Sequence, residues 1–160
     1  MIYDSADERS ESEAGGSVSS ALDRRMTYLL RRVTDAAGRM ANAQLATLGL
    51  DTRHYSVLAV LAAGAGSSQR TIADTLGLDR ATVVALVDKL ESEGLARRAQ
   101  SRADRRANAV ELTARGRRVF KRADALMETC ERSFVEALRD DERKQLTGLL
   151  ERLLTHKRQD

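Results

Sequence analysis

Between residues 20 and 48, apolar side chains recur every three or four positions: Leu22, Met26, Leu29, Leu30, Val33, Ala36, Ala37, Met40, Leu45 and Leu48. That period predicts one long amphipathic helix, ended by Gly49. A second helix is predicted after Asp51 or Thr52, with Tyr55, Leu58, Leu61 and Ala62 inward, stopping at Gly64 and Gly66. Ser67 or Ser68 caps a short third helix that buries Ile72, Ala73 and Leu76, and Gly77 closes it. Asp79 caps a fourth, with Val83, Leu86, Val87 and Leu90 inward and Gly94 at its end. The pattern then changes. Residues 95–99 and 108–112 can each form a short strand around a polar, Arg-rich loop at 100–107, although Ala and Arg are poor strand formers. Thr113 caps a long fifth helix through Val119, Phe120, Ala123, Leu126, Met127, Cys130 and Phe134. A sixth begins near Asp140 and repeats Leu146, Leu149, Leu150, Leu153 and Leu154. The protein is mainly α, with one small hairpin.

Charge sharpens this picture. The chain of 160 residues has a formal net charge of only +3. Residues 1–20, however, hold five acids against Arg9, many serines and almost nothing apolar. Such a segment cannot bury enough surface to offset its ordering entropy, so a disordered acidic tail is expected. Residues 96–118 are the opposite: eight arginines against Asp104 and Glu111. A solvated basic face is one reading of such a run, and an encounter with phosphate is the other.

Other chemistry is sparse. The longest apolar run, near Val57, is too short to span a bilayer. No charged-then-apolar leader opens the chain, and one cysteine cannot form an internal disulfide, so a cytoplasmic setting is expected. Two histidines and one cysteine, far apart, offer no metal site, and no cofactor is expected. No Ser-His-Asp arrangement or phosphate-cradling glycine loop suggests an enzyme.

Residues 68–90 have the form of a helix-turn-helix, with Gly77-Leu78-Asp79 as the turn. An Arg-rich hairpin directly after the second helix makes it a winged helix-turn-helix, in which that helix enters the major groove and the wing reaches the backbone or minor groove. The run Leu76-Gly77-Leu78-Asp79-Arg80-Ala81-Thr82-Val83, the segment 86–95, Asp104-Arg105-Arg106-Ala107 and Leu112-Thr113-Ala114-Arg115-Gly116 resemble the MarR family of bacterial transcriptional regulators. The resemblance covers residues 21–156. It implies an obligate homodimer with long terminal dimerisation helices, usually a repressor released from double-stranded DNA by a small molecule. The chain then divides into a tail (1–20), a first dimerisation helix (21–48), a DNA-binding lobe (49–116) and C-terminal dimerisation helices (117–160).

By the same resemblance, Arg106 is the wing-tip base that enters the minor groove and Asp104 orients the wing by pairing with an arginine; Arg102 and Arg105 accompany them. On the fourth helix the outward face is Arg80, Ala81, Thr82, Val84, Ala85 and Asp88. Many relatives carry a polar residue and an Arg where this chain has Val84-Ala85. Ala81, Val84 and Ala85 can pack on thymine methyls, with Arg80 and Thr82 meeting bases or phosphates at the helix start. If Val84 were core, Asp88 would share its buried face. Gln69, Lys89 and the capped helix start at Ser68 are further phosphate contacts. A pseudo-palindromic operator follows, with half-sites about one helical turn apart.

The resemblance also places an effector between the dimerisation helices and the lobe, lined by Tyr28, Arg31, Arg32, His54, Tyr55 and Leu58. Arginine beside tyrosine suits a small anionic or phenolic ligand, such as an aromatic carboxylate; ion pairing of the arginines to Asp35 is the alternative. His54 is either a satisfied junction histidine or a pH-sensitive contact. Leu22, Met26, Leu146, Leu149, Leu150 and Leu153 are the expected dimer interface, with an intramolecular bundle as the alternative. Two other functions stay open. One is a protein-interaction dimer without specific DNA binding; the other is a thiol-based redox regulator through Cys130, whose place on an apolar stripe favours a buried structural thiol.

Overall fold

Four of the predicted helices start where a short polar side chain accepts an otherwise unpaired backbone amide. Asp51 accepts from the His54 amide at 2.9 Å, Ser68 from Thr71 at 3.0 Å, Asp79 from Thr82 at 2.9 Å and Thr113 from Gly116 at 2.9 Å. The computed structural model describes residues 25–64, 66–100 and 108–156. Its helices are α1 (Met26–Leu45), α2 (Thr52–Ala63), α3 (Gln69–Leu76), α4 (Arg80–Ser92), α5 (Ala114–Phe134) and α6 (Asp140–His156). Its strands are β1 (Ser67–Ser68), β2 (Ala96–Gln100) and β3 (Asn108–Leu112). The acidic tail at 1–20, Leu22, and the loop residues Arg102, Asp104, Arg105 and Arg106 lie outside the described residues.

The chain forms two compact units, residues 1–39 and 40–160. In the first, the described residues are the leading turns of α1, where Met26, Leu29, Leu30 and Val33 are exposed. The second contains a contiguous core. Leu45, Val57, Leu58, Ile72, Val83, Val87, Leu90 and Val110 are fully buried there, with Leu95, Leu112 and Ala123 around them. This core runs beyond the limits 49–116, since Leu45 precedes them and Ala123 follows them.

Several boundaries differ from the expectation. α1 stops at Leu45, and Ala46–Leu48 tighten into a 3-10 turn rather than extending it. On α2, Ala62 is exposed and Val57 is buried in its place, because the inward stripe falls at 57, 58 and 61. The first wing strand begins at Ala96, since Leu95 is held by its amide donating to the Leu90 carbonyl at the end of α4 (2.8 Å). The hairpin is also joined by a third strand. Ser67 and Ser68 pair antiparallel with Val110 and Ala109, giving the order β1-β3-β2. A two-residue strand is too short to leave an alternation in sequence.

The wing closes onto α5 at one crowded point. Thr113 donates its amide to the Leu95 carbonyl (3.0 Å) and its hydroxyl to the Gly94 carbonyl (2.7 Å). Gly116, on the first turn of α5, faces the same Leu95 carbonyl so closely that a Cβ there would lie 1.9 Å from the oxygen. Gly116→Ala should therefore destabilise the fold by about 3 kcal/mol through backbone overpacking. Urea unfolding followed by circular dichroism checks this, and an unchanged midpoint would contradict the close approach.

Candidate nucleic-acid interface

The helix-turn-helix is built as its sequence requires. α3 ends at Gly77, whose φ of 64° is a left-handed conformation that glycine adopts without steric cost. Its amide returns to the Ala73 carbonyl, and the Leu78 amide bonds the same oxygen at 3.1 Å. Asp79 then caps α4 twice over, accepting from the Thr82 amide and, at 2.6 Å, from the Thr82 hydroxyl. The hydroxyl bond first and the amide bond second hold the Asp79 carboxyl below its ordinary range. Thr82 is half-buried, and its hydroxyl proton is committed to this cap.

The phase of α4 follows from its apolar spacing. Val83, Leu86, Val87 and Leu90 are buried, while Arg80, Ala81, Val84, Ala85, Asp88 and Lys89 are exposed. Val84 is 39% exposed, so it is a surface residue on the face opposite the core. Arg80 has no acidic partner among the described residues. Lys89 pairs with Glu93 at 2.8 Å, one turn along the helix. Ser68 spends its oxygen on the Thr71 amide and hydroxyl, and Gln69 opens α3 beside it, half-buried.

Not all of the Arg-rich segment is available to a partner. On β2, the Arg98 guanidinium reaches both Asp88 and Glu91 of α4, and its amide donates to Glu91 at 3.0 Å. Arg98 thus ties the wing to α4. Arg97 pairs across the hairpin with Glu111 at 3.0 Å, its register partner on β3. Periodicity could not show either pair, because each depends on the fold placing Asp88, Glu91 and Glu111 opposite the strand. Asp104 and the wing-tip arginines are outside the described residues.

Of the residues assigned to an effector, Tyr28, Arg31 and Arg32 belong to the first unit. There the Arg31 and Arg32 guanidiniums stand 5.0 and 5.9 Å from the Tyr28 ring centre, and Arg31 pairs with Asp35 at 3.0 Å. His54, Tyr55 and Leu58 belong to the second. His54 Nδ1 lies 2.7 Å from the Asp51 carboxylate. Burial alone would raise the Asp51 carboxyl, but the His54 amide and ring outweigh it and hold it below the usual range. Leu58 is wholly buried in the core. Tyr55 stacks on Phe120 at 6.0 Å and donates its hydroxyl to Asp124 at 2.8 Å, fastening α2 to α5. Cys130 is a buried free thiol on α5. Among the described residues no group of side chains could hold a metal ion, and no helix is long and apolar enough to cross a membrane.

Residues 48–107 match the model of the MarR family. The chain is 35% identical over 127 residues to a Thauera aromatica protein named for transcriptional regulation of the hcr operon, covering 79% of this chain and 76% of that one. It is also 34% identical to CouR from Rhodococcus jostii RHA1, solved with p-coumaroyl-CoA; the TM-score is 0.77 over 82% of this chain and 93% of that one. A structure of the repressor CouR on a 23-mer DNA duplex gives a TM-score of 0.78 at 34% identity, over 83% and 94%.

The Tyr55–Asp124 link has a titration signature. Burial first, then the Asp124 hydrogen bond and charge, push the phenol up to about 12. A raised folded value means that the link contributes fully below the unfolded value, about 10. The contribution is then lost as pH rises from there toward 12. Tyr55→Phe should cost about 1 kcal/mol at neutral pH and remove a phenolate absorbance that rises near pH 12. Ultraviolet titration with thermal melts checks both; a phenolate signal unchanged by the substitution would contradict the link.

Proposed function

The chain belongs to the MarR family of transcriptional regulators, and on that premise we propose that it is a homodimeric repressor of a pseudo-palindromic operator. A small anionic or phenolic effector releases it. The observation that carries this reading is the outward face of α4. Arg80, Ala81, Val84 and Ala85 stand exposed on a helix held at both ends, by the Asp79 cap and by the Arg98 bridge to the wing. A face so rigidly presented suits insertion into a major groove. Its small apolar side chains favour thymine methyl contacts over bidentate contacts to guanine. In this reading Arg80, Gln69, Lys89 and the start of α3 at Ser68 meet phosphates, Thr82 stands at the start of α4, and Arg102, Arg105 and Arg106 reach the neighbouring groove, with Asp104 orienting the wing.

Dimerisation is supported by apolar surface the chain leaves in water. Leu146, Leu149, Leu150, Leu153 and Leu154 on α6 are exposed, as are Met26, Leu29, Leu30 and Val33 on α1. Contiguous apolar seams of this kind mark an interface. CouR's complex with p-coumaroyl-CoA, an aromatic acyl thioester, supports a small effector with an aromatic and anionic character. The Arg31 and Arg32 guanidiniums over the Tyr28 ring supply chemistry for such a ligand. A ligand that favours a spacing of recognition helices mismatched to successive grooves lowers DNA affinity by linkage.

A gel shift on the promoter nearest its own gene tests the reading directly, and no retarded complex at low salt would contradict it. Arg106→Ala should weaken binding by about 1–3 kcal/mol and reduce the slope of log affinity against log salt by about 0.9. An unchanged salt titration would remove Arg106 from the interface. Light scattering should report a dimer at micromolar concentration. Leu149→Glu with Leu153→Glu should convert it to a monomer, and a persistent dimer would place the interface elsewhere.

A further inference from the structure

α5 opens with the sequence Ala114-Arg115-Gly116-Arg117-Arg118-Val119-Phe120-Lys121-Arg122-Ala123, five bases without an acid. This is the wrong sign for a helix start, where the macrodipole favours negative charge. The spacing adds to the strain, because Arg115 and Arg118, and Arg118 and Arg122, are neighbours on one helix face and repel each other. Arg117 is accounted for, since it donates to the Leu112 carbonyl at 2.9 Å. Arg115, Arg118 and Arg122 have no acidic partner among the described residues. Together with Val119, Thr47 and Leu48 these three line an open groove of about 470 Å³. Thr47 and Leu48 end the 3-10 turn after α1, whose last carbonyls could accept from an arginine. None of the three guanidiniums donates to them among the described residues, so helix capping does not explain the cluster. The Thr47 hydroxyl donates to the Gln44 carbonyl at 2.7 Å, which leaves the arginines as the groove's donors.

We propose that this groove is a binding site for a small polyanion: a molecule with two or more phosphate or carboxylate groups close together on a short apolar stem. Guanidiniums present planar pairs of donors that fit either oxyanion. Leu48 and Val119 give the stem an apolar wall. The groove has the volume of a small-molecule site. Its residues belong to neither the helix-turn-helix nor the wing strands, and none is among those assigned above to an aromatic effector. A bound anion would relieve the repulsion along α5 and meet the positive end of its dipole.

Isothermal titration calorimetry of the full chain with inorganic pyrophosphate, and separately with citrate, tests this against sodium chloride at matched ionic strength. Saturable binding of either anion at one site per chain is expected. Arg118→Ala should weaken it about tenfold or more, with Arg118→Lys intermediate. Lys121→Ala, which removes the same charge from the same helix outside the groove, should leave it unchanged. Both positions are exposed, and circular dichroism melts verify folding. Absence of saturable binding, or equal weakening by Arg118→Ala and Lys121→Ala, would overturn the proposal. So would a fall of about 0.9 in the salt slope of DNA binding on Arg118→Ala without added anion, which would make a DNA phosphate the occupant. Calorimetry needs no duplex, so this site and the DNA-binding reading fail separately.

Discussion

The Leu95 backbone is the point on which the lobe depends. Its amide closes the end of α4 on the Leu90 carbonyl, and its own carbonyl accepts the Thr113 amide where the wing returns. Thr113 also reaches the Gly94 carbonyl and caps α5, whose first turn approaches Leu95 at Gly116. One residue therefore joins the end of α4, both roots of the wing and the start of the long helix α5. The hydrogen bonds are individually modest. Their shared geometry leaves the wing little freedom to pivot against α4, and the Arg98 bridge removes more of it.

The arginines of this region serve different purposes that composition does not separate. Arg97 and Arg98 neutralise acids of their own fold, and Arg117 serves a carbonyl. Arg115, Arg118 and Arg122 share a groove instead. Among its described residues, this dense basic segment thus resolves into structural bridges and donors without an acidic partner, and only the latter can recognise a partner without first breaking an internal contact. The exposed pairs are worth little in isolation; Arg98 matters because it spans two elements rather than because of its charge.

Much of the fold was legible because its signals are local. Caps at Asp51, Ser68, Asp79 and Thr113, the turn at Gly77 and the apolar phase of α4 each depend on a few neighbouring residues. The tightened end of α1 and the strand β1 were not legible, since both depend on what the rest of the chain packs against them. The same holds for function-bearing geometry. The outward face of α4 follows from periodicity, whereas the Arg98 bridge, the Tyr55–Asp124 link across 69 residues and the groove of α5 exist only once distant segments meet. Val84 was the most informative single position, because its exposure fixes the helix phase and leaves an apolar surface on the outward face of α4.

The core's reach from Leu45 to Ala123 has a consequence for how the protein is made. The helix-turn-helix and wing are complete in sequence by residue 112, yet Val57, Leu58 and Tyr55 on α2 still await α5. During synthesis the nascent lobe therefore remains unsealed until Phe120 and Ala123 have left the ribosome. Sealing it closes a loop of more than sixty residues, at an entropic cost that grows only slowly with loop length. A fragment ending at the wing would stay in that unsealed state, exposing apolar surface that the finished chain hides.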